Sequence, residues 1–127
     1  MHKKVMYIWA SQLTIMNKNH LYKGTLSTIL LKLLEEHGRM YGYELSKKAK
    51  EVTQGDLDIT EGALYPALHK LEAEGLLTTE IEMAGKRQRK YYKLAEKGEG
   101  EARKRIDELA EYARNLQQFL NPQPGHG

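Results

Sequence analysis

After Gly75 the hydrophobic period of this chain changes from the helical 3.6 to the strand value of 2, and that change constrains the architecture more than any other feature. Upstream, Leu26, Ile29, Leu30, Leu33 and Leu34 mark one face of a helix that Gly38 closes. A second pattern places Tyr41, Leu45, Ala49 and Val52 on one face and Lys47, Lys48 and Lys50 on the other, with Gly55 as the stop. Leu57-Asp58-Ile59 reads as a short strand. A third helix starts at Thr60, a favourable N-cap, with Ile59 and Leu64 at the staple positions. Leu64, Leu68 and Leu71 form its buried stripe, and Gly75 ends it. Downstream, Leu77, Thr79 and Ile81 alternate with Thr78, Glu80 and Glu82, as Tyr92 and Leu94 do with Tyr91 and Lys93. Ala84-Gly85-Lys86-Arg87-Gln88-Arg89 joins the two runs as a hairpin tip. From Glu96 to Leu120 the pattern is helical again.

The expected fold is therefore mainly α with a small β-hairpin (α+β). In this order, helices followed by a hairpin form a winged helix-turn-helix, here with a long C-terminal helix appended. The expected organisation is an N-terminal extension at 1–18, a winged-helix domain at 19–95, a dimerisation helix at 96–120 and a disordered tail at 121–127. Gly98 reads as the hinge between hairpin and last helix.

Composition removes several functions. The 127 residues include no cysteine, so disulfides, thiolate nucleophiles and Cys-based zinc sites are excluded. His2, His20, His37, His69 and His126 are scattered, without metal-ligand spacing to carboxylates. No phosphate-binding loop, dinucleotide fingerprint or nucleophile elbow is present. The expectation is a protein without enzymatic activity, cofactor or metal. No apolar run reaches the length of a membrane span. Lys3 and Lys4 precede an apolar patch, Val5 to Ala10, that is too short for a secretory leader, so the expected location is the cytoplasm.

Charge placement is more informative than the net +3. From Ala84 to Leu94 lie five cations, Lys86, Arg87, Arg89, Lys90 and Lys93, and no anion. A cationic two-stranded projection suits phosphates; alternatively, such residues only keep an exposed hairpin soluble. In a helix-turn-helix the second helix enters the major groove. Here that helix exposes Glu61, Gly62, Tyr65, Pro66, His69 and Lys70. Tyr65, His69 and Lys70 offer groups for base edges or the groove wall, Gly62 permits close approach, and the helix start at Thr60 favours a phosphate. Pro66 either kinks the helix for packing or serves docking. Glu61 opposes phosphate unless it accepts a bond from a cytosine amino group. The candidate DNA-binding set is thus Thr60, Gly62, Tyr65, Pro66, His69, Lys70, Lys86, Arg87, Arg89 and Lys90.

In the last helix, Ala102, Ile106, Leu109, Ala113, Leu116 and Leu120 recur by four and three, between flanks of mixed charge. This seam suits a second helix, which makes these residues the candidate dimer interface; packing on its own domain is the alternative.

The stretch Gly62-Ala63-Leu64-Tyr65-Pro66-Ala67-Leu68-His69-Lys70-Leu71-Glu72-Ala73-Glu74-Gly75-Leu76-Leu77 resembles the PadR family of bacterial winged-helix regulators. Lys23-Gly24-Thr25-Leu26, Tyr41-Gly42-Tyr43-Glu44-Leu45 and Arg89-Lys90-Tyr91-Tyr92-Lys93-Leu94 agree with it, and the similarity runs from about Asn19 to Leu120. The resemblance implies a homodimeric repressor of double-stranded DNA, acting at a palindromic operator and released by a small-molecule effector. The single last helix is similar to that of the smaller subfamily. Some members of that subfamily bind flat aromatic compounds between subunits through a tryptophan on this helix, which makes a small aromatic effector the expected ligand. Leu109 stands near that position here, and Trp9 is the only tryptophan, which argues against a stacking pocket. Ala95 stands where the family commonly has threonine. Residues 1–15 fall outside the resemblance. The rival reading is a winged-helix interaction module that pairs through its last helix without sequence-specific DNA binding.

Overall fold

The computed structural model describes Tyr22 and residues 24–122. The expected extension at 1–18, with Trp9, and most of the expected tail lie outside the described residues. Among the described residues from 24 onward, four helices and a three-stranded antiparallel sheet follow in the order α1 (Leu26–His37), β1 (Met40–Tyr41), α2 (Gly42–Val52), α3 (Glu61–Ala73), β2 (Leu77–Ala84), β3 (Arg87–Leu94) and α4 (Glu96–Leu120). The sheet order is β1-β3-β2. The fold is the α+β winged helix expected from the change of period.

α1 is the central helix. Leu31 is as fully buried as Leu30, Leu33 and Leu34, so the helix is covered on more than the single expected face, with α2, α3, β3 and α4 all packed against it. At its end Gly38 adopts φ 76°, and its N–H donates to the Leu34 carbonyl at 3.0 Å. α2 buries Leu45 and Ala49 as expected, whereas Val52 is exposed because the helix ends there. Gln54 and Gly55 then turn the chain with positive φ.

The third strand is not where the sequence pattern suggested. Leu57-Asp58-Ile59 pairs with no strand; Leu57 and Ile59 point into the core and Asp58 outward. β1 comes instead from Met40 and Tyr41, which pair with Tyr92 and Tyr91. Two residues are too few to display a period, while Leu57 to Ile59 alternates because it plugs the core from one side.

The wing closes through Gly85 and Lys86, with Ala84 opposite Arg87. Gly85 has φ 65° and Lys86 a negative φ, the sign pattern of a type II′ hairpin turn, where glycine avoids a Cβ clash. Gly98 is no hinge. It lies in the first turn of α4, buried, and a Cβ there would collide with the Leu76 carbonyl oxygen. That same oxygen accepts the Ala95 N–H at 2.8 Å, so α4 begins pressed against the segment that leaves α3.

Candidate nucleic-acid interface

The face of α3 is set by its buried stripe. Leu64, Leu68 and Leu71 enter the core, which turns Glu61, Gly62, Tyr65, Pro66, His69 and Lys70 outward, and all six are exposed. Thr60 occupies the N-cap position in extended backbone, and its carbonyl accepts the Ala63 and Leu64 N–H groups at 3.1 and 2.9 Å. Its hydroxyl makes no capping bond, so the cap is made by backbone alone and the side chain stays exposed. Pro66 sits inside a continuous helix on this solvent face.

Tyr65 does not stand free. Its ring lies over Gly42, the first residue of α2, where any Cβ would collide with the phenol. The ring is 6.4 Å from that of His69 between centroids. Packing on Gly42 turns Tyr65 toward the wing, where it lines a cleft with Tyr41, Gly42, Tyr43, Arg87, Gln88, Arg89, Lys90 and Tyr92. The structure thus brings α3, the start of α2 and the cationic strand of the wing around one concavity rich in tyrosine and in cations.

Within the wing the cations are not equivalent. Lys86 and Arg87 at the tip are exposed and have no carboxylate partner among the described residues. The Arg89 guanidinium lies 4.6 Å over the Tyr41 ring. Lys90 points back, its ammonium 3.7 Å from a Glu72 carboxylate oxygen on α3 and 5.3 Å from the Tyr92 ring centre. Tyr92 is almost fully buried, and burial pushes its phenol up, partly offset by the Lys90 ammonium.

Two acidic residues stand on the neighbouring strand, Glu80 and Glu82, opposite Tyr91 and Arg89. Arg39, between α1 and β1, takes up both. Its Nη1 donates to Glu80 Oε2 at 2.9 Å and to Glu82 Oε1 at 2.6 Å, and its Nη2 donates to Glu82 Oε2 at 2.9 Å. The same guanidinium lies 4.2 Å from the Tyr91 ring centre. Lys93 adds an ion pair to Glu80 at 2.7 Å. The Lys93 and Arg39 cations beside Glu80 hold its carboxyl below the usual range, and Arg39 does the same to Glu82. Arg39 itself is pushed further up. Sequence reading missed Arg39 because a lone cation in a two-residue link carries no pattern. Tyr41 and Tyr43 were visible only as part of a helix start.

On the opposite side of the domain, α4 meets α1. Ala102 is wholly buried in this chain's own core, so it offers no surface to a partner, contrary to the expected seam. Ile106 packs against that core, and Leu109 is half-buried. Ala113, Leu116 and Leu120 are exposed, as are Tyr112 and Phe119, the last at 79%. Ile29, Leu33, Val52, Ile106, Leu109 and Ala113 line an apolar groove between α1, the end of α2 and α4. Among the described residues no group of three or more His, Asp or Glu could hold a metal, and no helix is long and apolar enough to cross a membrane.

Known proteins resemble this chain in sequence and in fold. Residues 30–104 match the PadR-like transcriptional regulator family. The transcriptional regulator Rv3488 of Mycobacterium tuberculosis is 37% identical over 79 residues, which are 60% of this chain and 67% of that protein. A PadR family regulator from Eggerthella lenta superposes with a TM-score of 0.70 at 26% identity, over 95% of this chain and 99% of that one. Bacillus subtilis PadR, solved in complex with operator DNA, gives 0.57 at 30% identity, over 63% of this chain and 46% of the other. A cationic wing beside an exposed helix-turn-helix face, on a chain matched to this family across most of its described length, makes the protein a member of the PadR-like family of transcriptional regulators.

Proposed function

We propose that this chain is a sequence-specific repressor that binds palindromic duplex DNA as a homodimer in the cytoplasm and lets go when a small molecule binds. α3 enters the major groove, with His69 and Lys70 toward base edges and Gly62 allowing close approach. Thr60 and the free N–H groups at the helix start meet a phosphate. Tyr65 and the wing cations Lys86, Arg87 and Arg89 follow the flanking backbone, and Lys90 holds the wing against Glu72. The observation that carries this reading is the shared cleft, in which α3 and the wing present tyrosines and cations together. The Bacillus subtilis relative, whose structure includes operator DNA, supports duplex DNA as the ligand class.

The second copy pairs along α4 from Ile106 onward, through Leu109, Ala113, Leu116 and Leu120. At 25 residues this helix is about 37 Å long, and its exposed last turns carry Tyr112, Leu116, Phe119 and Leu120 beyond its own domain. The apolar groove beneath Leu109 is the place for an effector, which needs apolar surface rather than charge.

Selection from a randomised duplex pool tests the reading. Enrichment of an inverted repeat supports it; recovery of unrelated sequences, with no salt-dependent binding, leaves a module that pairs through α4 and overturns it.

A further inference from the structure

Resting on the DNA-binding reading, we infer that Arg39 is a positioning residue for the wing, sequestering Glu82 so that Arg89 stays available to a phosphate. Glu82 and Arg89 are direct cross-strand partners in the antiparallel ladder, so their side chains leave the same face of the sheet. Opposite charges in such a pair ordinarily meet. Here they do not: both Glu82 oxygens accept bonds from Arg39, at 2.6 and 2.9 Å, and Arg89 lies instead over the Tyr41 ring.

The geometry explains why Arg39 wins. Its planar fork matches a carboxylate with two parallel N–H bonds, reaches Glu80 with the same Nη1, and stacks on Tyr91. Lysine could not make all of these contacts, because it presents a point charge. Arg89 is left on an aromatic face, which is sequence-neutral, without a carboxylate partner among the described residues, and within the cleft shared with α3. Without Arg39, Glu82 becomes an unpaired anion opposite Arg89. It would then capture the guanidinium and place a negative charge beside the phosphate path.

The clamp is solvent-exposed, and exposed pairs add little stability, so Arg39 variants should fold. That separates the wing effect from unfolding. The experiment is a double-mutant cycle of Arg39→Gln and Glu82→Gln, with affinity for a mixed-sequence 30-base-pair duplex measured at several salt concentrations and folding checked by thermal melting. R39Q should weaken duplex binding about fivefold and flatten the salt slope, the effect of losing a phosphate contact. E82Q should do little in the native background, where Glu82 is already neutralised, and should restore most of the affinity in the R39Q background. Arg89→Gln should cost about fivefold alone and almost nothing further on top of R39Q. Equal effects of E82Q in both backgrounds would mean that each charge acts independently through the field, and would overturn the inference. Absence of salt-dependent duplex binding by the native chain would overturn both this inference and the DNA-binding reading.

Discussion

Tyr65 packs against its own domain and is proposed to touch DNA, and the two contributions can be pulled apart. The hydroxyl end of its phenol covers Gly42 at the start of α2, and the same residue lines the cleft proposed for DNA. Tyr65→Phe keeps the ring carbons over Gly42 and removes only the hydroxyl, and should weaken operator and scrambled duplex alike, the mark of a backbone contact. Tyr65→Ala should also lower the melting temperature. Lys70→Ala should instead cost about 1–3 kcal/mol per half-site on the operator and little on scrambled DNA. Removing Arg87 should flatten the salt slope by about 2 per dimer, whereas Lys90→Ala should change it less because Lys90 already faces Glu72. With three phosphate-facing wing cations per subunit, the dimer's slope is expected near about −5. Titrations at several salt concentrations read all of these; a steeper slope loss for Lys90 than for Arg87 would contradict the assignment. The proposed roles were only half legible in the sequence. The outward row of α3 follows from the positions of Leu64, Leu68 and Leu71, but the sideways turn of Tyr65 depends on Gly42, distant in the chain.

At the scale of elements, long periodic segments were legible and short ones were not. α4 runs over Glu96–Leu120, the stretch read as helix, because twenty-five residues give many repeats of the pattern. β1 has two residues and gave none. Gly98 was read as a hinge and Ala102 as the start of the dimer seam, whereas here both are buried within the domain, and the missing side chain of Gly98 permits close packing. Two glycines of α4 make this testable. Gly100 faces open space, so Gly100→Ala should stabilise by about 0.5–1 kcal/mol through helix propensity. Gly98→Ala gains the same propensity but drives a Cβ into the Leu76 carbonyl, which is backbone and cannot rotate away. Overpacking of this kind costs about 1–3 kcal/mol, so the net effect should be a melting temperature lower by several degrees. Thermal melts of the two variants should move in opposite directions. The other test on α4 is Leu116→Asp. In a lone chain this side chain is already 40% exposed, so the substitution should leave the domain folded. Between subunits it would bury an unpaired carboxylate, and sedimentation should show a monomer; an unchanged dimer would place the interface elsewhere.

Across the whole molecule, α4 is fastened to α1 and to the end of α3 at several points. Arg105 on α4 reaches Glu74, at the end of α3, at 2.9 Å, and is steadied by Glu101 of its own helix at 3.0 Å. Lys97 donates to the Glu74 carbonyl at 3.4 Å, and Arg103 pairs with Glu35 on α1 at 3.1 Å. At Gly98 the first turn of α4 rests directly on the Leu76 backbone, with no side chain of its own at that point to yield. If two such chains pair through α4, each recognition helix is held at a fixed distance and rotation from its twin. The dimer then acts as a calliper whose jaws cannot be reset without breaking that seat. Half-sites on one side of B-DNA repeat about every 10 base pairs, or roughly 34 Å. Five base pairs inserted at the operator centre would turn one half-site to the far side of the duplex, and binding should fall to the level of scrambled DNA. Tolerance of that insertion would mean that the jaws swing. Inserting ten should not rescue it, because the second half-site would face the protein again but lie a full helical turn out of reach.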